Sequence, residues 1–134
     1  MFPAETRILL VDDMTTMRKL VRRCLTDLGF TSVTEADDGE TAWPMLESAA
    51  STIPFQLIIS DWNMPKMQGI QLLKKVRANE ALKTVPFIFL TAETEKTQVM
   101  DAIQSGATNY ISKPFTPQTL KEKLALVHAQ VQKK

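Results

Sequence analysis

A chain of 134 residues is long enough for one domain with one hydrophobic core. Its 44% hydrophobic and 23% charged residues are ordinary for a soluble globular protein, and a formal net charge of +1 gives no bulk electrostatic reason to expect nucleic acid or an anionic membrane as a partner. The single cysteine, Cys24, excludes an internal disulfide and suits a reducing compartment. In chain order, the first seven residues carry no basic run of the kind that opens a signal peptide. The apolar stretch Ile8–Val11 is too short to cross a membrane, so a cytoplasmic protein is expected. That stretch reads as a strand buried on both faces and ends in Asp12-Asp13.

Met14 to Leu28 has apolar residues at 17, 20, 21, 24, 25 and 28, which predicts a helix stopped by Gly29, with Cys24 in the core. Thr31 to Ala36 is a more polar strand suited to a sheet edge, and Asp37-Asp38-Gly39 is a turn. Glu40 to Ala50 reads as a helix with Ala42, Trp43, Leu46 and Ala49 on one face. Pro44 is tolerated there in the first turn and kinks the helix if deeper. Phe55 to Ser60 is a third strand, leading to Asp61. Ile70 to Ala78 is helical, with Ile70, Leu73 and Val76 inward. Pro86 to Leu90 is a fourth strand ending at Thr91, and Glu95 to Ser105 a helix stopped by Gly106. Asn109 to Ser112 is a short strand ending at Lys113-Pro114. Thr116 caps a last helix, with Pro117 at its first position and Leu120, Leu124, Val127 and Val131 inward. Five β-α units of this kind make a doubly wound parallel sheet with helices on both faces, the flavodoxin-like (βα)5 arrangement with strand order 2-1-3-4-5.

In such a sheet all strand ends with the same sense lie on one edge. Here they deliver Asp12 and Asp13, Asp61, Thr91 and Lys113. Two carboxylates ~4 Å apart repel by about 4 kcal/mol at an effective dielectric near 20. A shifted pKa, a cation or both must offset that. Lys113 supplies one positive charge, and a hard divalent ion such as Mg2+ accepts a few carboxylates plus water. A metal beside a carboxylate, with a lysine and a hydroxyl, suits phosphoryl transfer. Asp61 would be the in-line nucleophile, and Lys113 and Thr91 would hold the phosphoryl oxygens.

Nucleotide or flavin binding is disfavoured, because the loop after the first strand is Asp-Asp-Met-Thr-Thr and lacks a glycine-rich phosphate cradle. A Mg2+-dependent phosphatase or phosphotransferase with an Asp nucleophile would want an acid/base group two residues on. Asn63 stands there instead. His128, the only histidine, sits beside the last helix's apolar stripe as a rim residue.

Asp12-Asp13, Asp61, Thr91, Tyr110 and Lys113-Pro114 together resemble the receiver domain of bacterial two-component response regulators, over essentially the whole chain. The stretches Ser60-Asp61-Trp62-Asn63-Met64-Pro65, Thr91-Ala92-Glu93 and Lys113-Pro114-Phe115-Thr116 are most similar to the single-domain chemotaxis regulators of that family. The resemblance implies one receiver domain over 1–134, with its core at about 7–131, acting as a signalling switch rather than a turnover enzyme. It implies that Asp61 takes a phosphoryl group from a sensor histidine kinase. One Mg2+ ion would be held by Asp13, Asp61 and the Asn63 backbone carbonyl, with Asp12 acting mainly through water. Thr91 and Tyr110 would be a switch pair, and Asn63 and Glu93 would border the path of the water that removes the phosphate, with a partner phosphatase as an option. The Lys113–Pro114 bond would be cis. Val99, Tyr110 and Lys123 would form a docking face for a flagellar motor switch protein, on a monomer that binds neither nucleic acid nor membrane. A standalone receiver in another phosphorelay is the alternative. Trp43, the long connection at 49–54 and the weakly basic Thr94-Glu95-Lys96 depart from the chemotaxis pattern.

Overall fold

The computed structural model describes residues 2–62, 64, 66–92, 96–113 and 115–132. Asn63, Glu93 and Pro114 lie outside them, and so do the expectations that fall on those three residues. The chain alternates strand and helix: β1 (Ile8–Val11), α1 (Thr15–Asp27), β2 (Val33–Ala36), α2 (Gly39–Ala50), β3 (Leu57–Asp61), α3 (Gly69–Ala78), β4 (Phe87–Ala92), α4 (Lys96–Gln104), β5 (Asn109–Lys113) and α5 (Pro117–Gln132). The five strands are parallel in the order β2-β1-β3-β4-β5, as expected.

The strands are apolar throughout because each feeds two cores. Side chains alternate across a strand with period two. Leu9, Val11, Ile58, Phe87 and Phe89 face one side, where they meet Ala42 and Leu46 of α2, Leu72, Leu73 and Val76 of α3, and Ala102 of α4. Ile8, Leu10, Leu57, Ile59, Ile88, Leu90 and Ile111 face the other side, against Val21, Cys24 and Leu25 of α1 and Leu120, Leu124 and Val127 of α5. The polar edge strand is β2, as its sequence suggested. Phe2, although near the terminus, is buried on the second core with its ring 4.9 Å from that of the half-buried His128.

Some local readings change. Leu20, one of the apolar positions that define the period of α1, is 48% exposed. At roughly 100° per residue it lies on the rim of the stripe that Met17, Val21, Cys24 and Leu28 centre. On α3 the buried set includes Leu72 as well as Leu73 and Val76, with Ile70 only half-buried. Thr91 lies inside β4 rather than past its end. Asp38 is more than a turn residue: its side chain accepts the Thr41 N–H at 2.8 Å and caps α2. With α2 starting at Gly39, Pro44 is its sixth residue. The helix therefore continues past a proline that cannot donate to the Glu40 carbonyl.

Two features anchor the loops. Arg77, at the end of α3, donates to the carbonyls of Gly106 (2.8 Å), Lys83 (3.1 Å) and Val85 (2.7 Å), tying together three segments at the amino-terminal rim of the sheet. At the opposite rim, Lys66 between β3 and α3 has φ of 66°, in the left-handed region, where a lysine has no intrinsic preference. Its side chain is exposed and only 4.0 Å from Glu40, a surface pair that contributes little. Lys66→Asn, which tolerates that backbone, is expected to raise stability by about 0.5–1 kcal/mol. Urea unfolding checks this; a lower midpoint would contradict the strain.

Candidate functional site

The acidic site is built at the carboxyl ends of β1 and β3, which are neighbours in the sheet. Asp12 follows β1 directly, and its N–H is bonded to the Ala36 carbonyl of β2 at 3.1 Å. Its side chain is fully buried. Oδ1 accepts the Met14 N–H at 2.9 Å, and Oδ2 has no partner among the described residues. Burial pushes the Asp12 carboxyl above its ordinary pKa. The Met14 N–H opposes that shift, Asp61 adds to it, Lys113 opposes it, and Asp13 adds to it. Asp13, the next residue, is exposed. Asp61 ends β3 and is nearly buried. Its Oδ1 accepts both the Trp62 N–H and the Lys113 ammonium, each at 2.9 Å, which leaves Oδ2 for a cation or an incoming group.

One carboxylate oxygen from each of Asp12, Asp13 and Asp61 lies within 4.8 Å of the others. Two ligands on opposite sides of a Mg2+ ion are about 4.2 Å apart, so the set fits such an ion if one carboxylate closes slightly or reaches it through water. The buried oxygen of Asp12, unpartnered among the described residues, is a second feature that suits a cation ligand. Hard oxygen donors without sulfur or imidazole favour Mg2+ over zinc or copper. The described residues could thus hold a divalent cation such as Mg2+.

The remaining predicted residues fall into place unequally. Lys113 ends β5 and reaches across to β3. Thr91 is buried in β4 between them in strand order. Its register partner is Ser112 while that of Phe89 is Tyr110, so Thr91 and Tyr110 are diagonal neighbours on one face of the sheet. Both Phe89 and Tyr110 belong to the core that α4 covers. Tyr110 is half-buried, with the Lys123 ammonium 4.7 Å from its ring centre; that ammonium also donates to Asn109 Oδ1 at 3.2 Å. A docking face that includes Val99 by resemblance implies that Val99, rather than the adjacent Met100, stands near solvent. The structure corrects this: Met100 is 62% exposed and Val99 half-buried. Residues one apart are about 100° apart around a helix, and it is residue 102, not 100, that completes the inward face with 99. Ile103, four residues from Val99, is exposed and extends the apolar face. Trp62 packs: it is buried with its ring 4.9 Å from Phe89.

The structure adds residues that the sequence reading did not single out. Gly69 sits directly behind Asp61. Its N–H donates to the Trp62 carbonyl at 3.0 Å, and a Cβ there would lie 2.3 Å from the Asp61 carbonyl oxygen. Arg18 of α1 donates to the Asp12 carbonyl at 2.7 Å and to Glu35 of β2 at 2.9 Å. No helix among the described residues is long and apolar enough to cross a membrane.

Comparison with known proteins agrees with this geometry. Residues 8–125 match the response regulator receiver domain family. The chain is 52% identical over 118 residues to chemotaxis protein CheY-3 of Vibrio cholerae, covering 88% of each. It is 49% identical to chemotaxis protein CheY of Pseudomonas aeruginosa, covering 93% of this chain and 98% of that one. Among solved structures, Vibrio cholerae CheY4 superposes with a TM-score of 0.80 at 38% identity, over 92% of this chain and 99% of that one. With the acidic site, the lysine and the strand order all in place, the chain belongs to the response regulator receiver domain family, as a CheY-like receiver for phosphorylation-dependent signalling.

Proposed function

We propose that the protein is a chemotaxis switch that takes a phosphoryl group on Asp61 from a sensor histidine kinase and then docks on the flagellar motor switch. The observation that carries the phosphorylation is Asp61 itself. It is a nearly buried carboxylate with Lys113 at 2.9 Å and two further carboxylates within 4.8 Å. The Asp61 oxygen attacks phosphorus in line, the bond from phosphorus to the kinase imidazole breaks, and the imidazole leaves with its electron pair. Lys113 holds a positive charge where the phosphoryl oxygens arrive. Asp12, Asp13 and Asp61, with the Asn63 carbonyl by family resemblance, would hold Mg2+, which neutralises charge on those oxygens when bound. Asn63 and Glu93 border the hydrolytic path by the same resemblance.

The new charge of about −2 biases Thr91 and Tyr110, diagonal neighbours on the sheet face that α4 covers. The output face is then Val99, Tyr110 and Lys123, with Met100 and Ile103 as its most exposed apolar members. The similarity to chemotaxis proteins supports a flagellar motor switch segment as partner.

The test is treatment with a small phosphodonor and Mg2+, then mass-spectrometric mapping and binding to a motor-switch peptide. One phosphoryl group is expected, on Asp61, with none taken up by Asp61→Asn. Met100→Asp and Tyr110→Ala are expected to weaken the phosphorylated protein's binding at least about tenfold, in the range of interface anchors. Label on another residue would overturn the acceptor, and binding indifferent to both variants would overturn the docking face.

A further inference from the structure

The start of α1 has the Asp12 side chain on the Met14 N–H but no side-chain cap of its own. Its N-cap is Met14, which has no side-chain acceptor to offer, and its first turn holds no acidic residue. Yet the turn that precedes it carries Asp12 and Asp13, whose mutual position decides whether three carboxylates can share one cation. The backbone of that turn is held from outside. The Arg18 guanidinium reaches back six residues and donates through one Nη to the Asp12 carbonyl at 2.7 Å. Its Nε donates to Glu35 Oε1 at 2.9 Å, and the second Glu35 oxygen accepts from Arg22. Arg18 and Arg22 are four residues apart on one face of α1, so Glu35 is gripped by two guanidinium groups from a single helix. Side-chain exposure is 17% for Arg18 and 25% for Glu35, which removes much of the solvent screening that makes most surface pairs weak. Burial opposes ionisation of Glu35, but the hydrogen bonds from Arg22 and Arg18 outweigh it and hold the carboxyl below its ordinary pKa.

A cation beside an acidic cluster works against metal binding by charge alone. Arg18 repels a divalent ion, so on Coulomb grounds the site would bind better without it. Its geometry has a different use. The edge strand β2 fixes Glu35, Glu35 fixes the guanidinium plane, and that plane fixes the carbonyl between Asp12 and Asp13. Metal ligands oriented by such outer partners lose affinity when the partner goes.

We propose that Arg18, oriented by Glu35, is a positioning residue of the acidic site: it sets the β1–α1 turn so that Asp12 and Asp13 converge with Asp61 on one divalent cation. This rests on the reading of the acidic cluster as a Mg2+ site. The two ideas separate in a single experiment, in which Mg2+ is titrated into the parent protein, Arg18→Met and Arg18→Lys. Binding is followed by intrinsic tryptophan fluorescence and by calorimetry, with thermal unfolding in EDTA as the control for folding.

Both variants are expected to bind Mg2+ roughly tenfold more weakly, the lower end of such outer-partner effects. In EDTA, amide exchange of Asp13 and Met14 is expected to quicken while the strands stay protected. Arg18→Lys decides the matter if Arg18→Met fails to fold. It keeps the charge and loses the planar two-pronged donor, so electrostatics alone leaves its affinity unchanged. Unchanged or tighter binding by Arg18→Lys would overturn the proposal while leaving the metal site standing. Absence of any Mg2+ response in the parent protein would overturn the metal site and this inference with it.

Discussion

Gly69→Ala is expected to destabilise the protein by about 2–3 kcal/mol, as overpacking in a rigid site does. Gly69 starts α3 against β3, with its N–H on the Trp62 carbonyl. A Cβ there would lie 2.3 Å from the Asp61 carbonyl oxygen and 2.7 Å from Phe89 Cε1. Neither can yield cheaply: one is backbone of the central strand, and the other is a ring packed between Trp62 and Phe87. Since the displaced atom belongs to Asp61, phosphoryl uptake should fall together with stability. Gly29→Ala is the control. Gly29 has φ of +101° and nothing within 4 Å of a Cβ, so only backbone strain of about 1 kcal/mol is expected there, with uptake unaffected. Guanidinium unfolding and phosphodonor labelling of both variants check this. Equal costs at the two glycines would show that the β3–α3 loop moves aside.

Asp12→Asn is expected to do the opposite, stabilising the metal-free protein by about 1–2 kcal/mol while abolishing its response to Mg2+. Asn keeps an oxygen for the Met14 N–H and removes a charge that is fully buried, lacks a partner at Oδ2 and is repelled by Asp61 and Asp13. The parent should gain about 1.4 kcal/mol from Mg2+ at ten times its dissociation constant, and the variant nothing.

The sign in acid follows from the upward shift of the Asp12 pKa. The penalty for ionised Asp12 is full above its raised value, is relieved as pH falls through it, and is gone below the ordinary value of 3.8. The advantage of Asp12→Asn in EDTA should therefore shrink over that window. A variant no more stable than the parent at neutral pH would mean that Asp12 is already neutralised by its surroundings.

The sheet order and the acidic site were legible in the sequence because both depend on short-range signals. Apolar runs of strand length end in Asp12, Asp61, Thr91 and Lys113, and parallel topology brings those ends to one rim. What stayed hidden depends on pairs distant in sequence. Arg18 and Glu35 are 17 residues apart, and nothing in either neighbourhood names the other. The hint was an acidic residue in an edge strand opposite two arginines at helical spacing. Nothing in the sequence around Gly69 shows that its role is the space it leaves behind Asp61. On α4, helical period separates Val99 from Met100, but which of them faces inward depends on how Ala102 seats on the sheet.

The bonds made by Arg77 give the two rims of the sheet different mechanical character. At the amino-terminal rim one half-buried guanidinium holds the carbonyls of Lys83 and Val85 in the α3–β4 connection and of Gly106 in the α4–β5 connection, so neither connection can open without stranding a donor. The approaches to β4 and β5 are thus tied to α3 at the rim opposite the one where Asp61, Thr91 and Lys113 lie. If Asp61 is phosphorylated as proposed, the new charge arises at the rim that this guanidinium does not hold. The proposed switch pair, Thr91 and Tyr110, stands on the sheet face that α4 covers, so α4 is the element best placed to answer that charge.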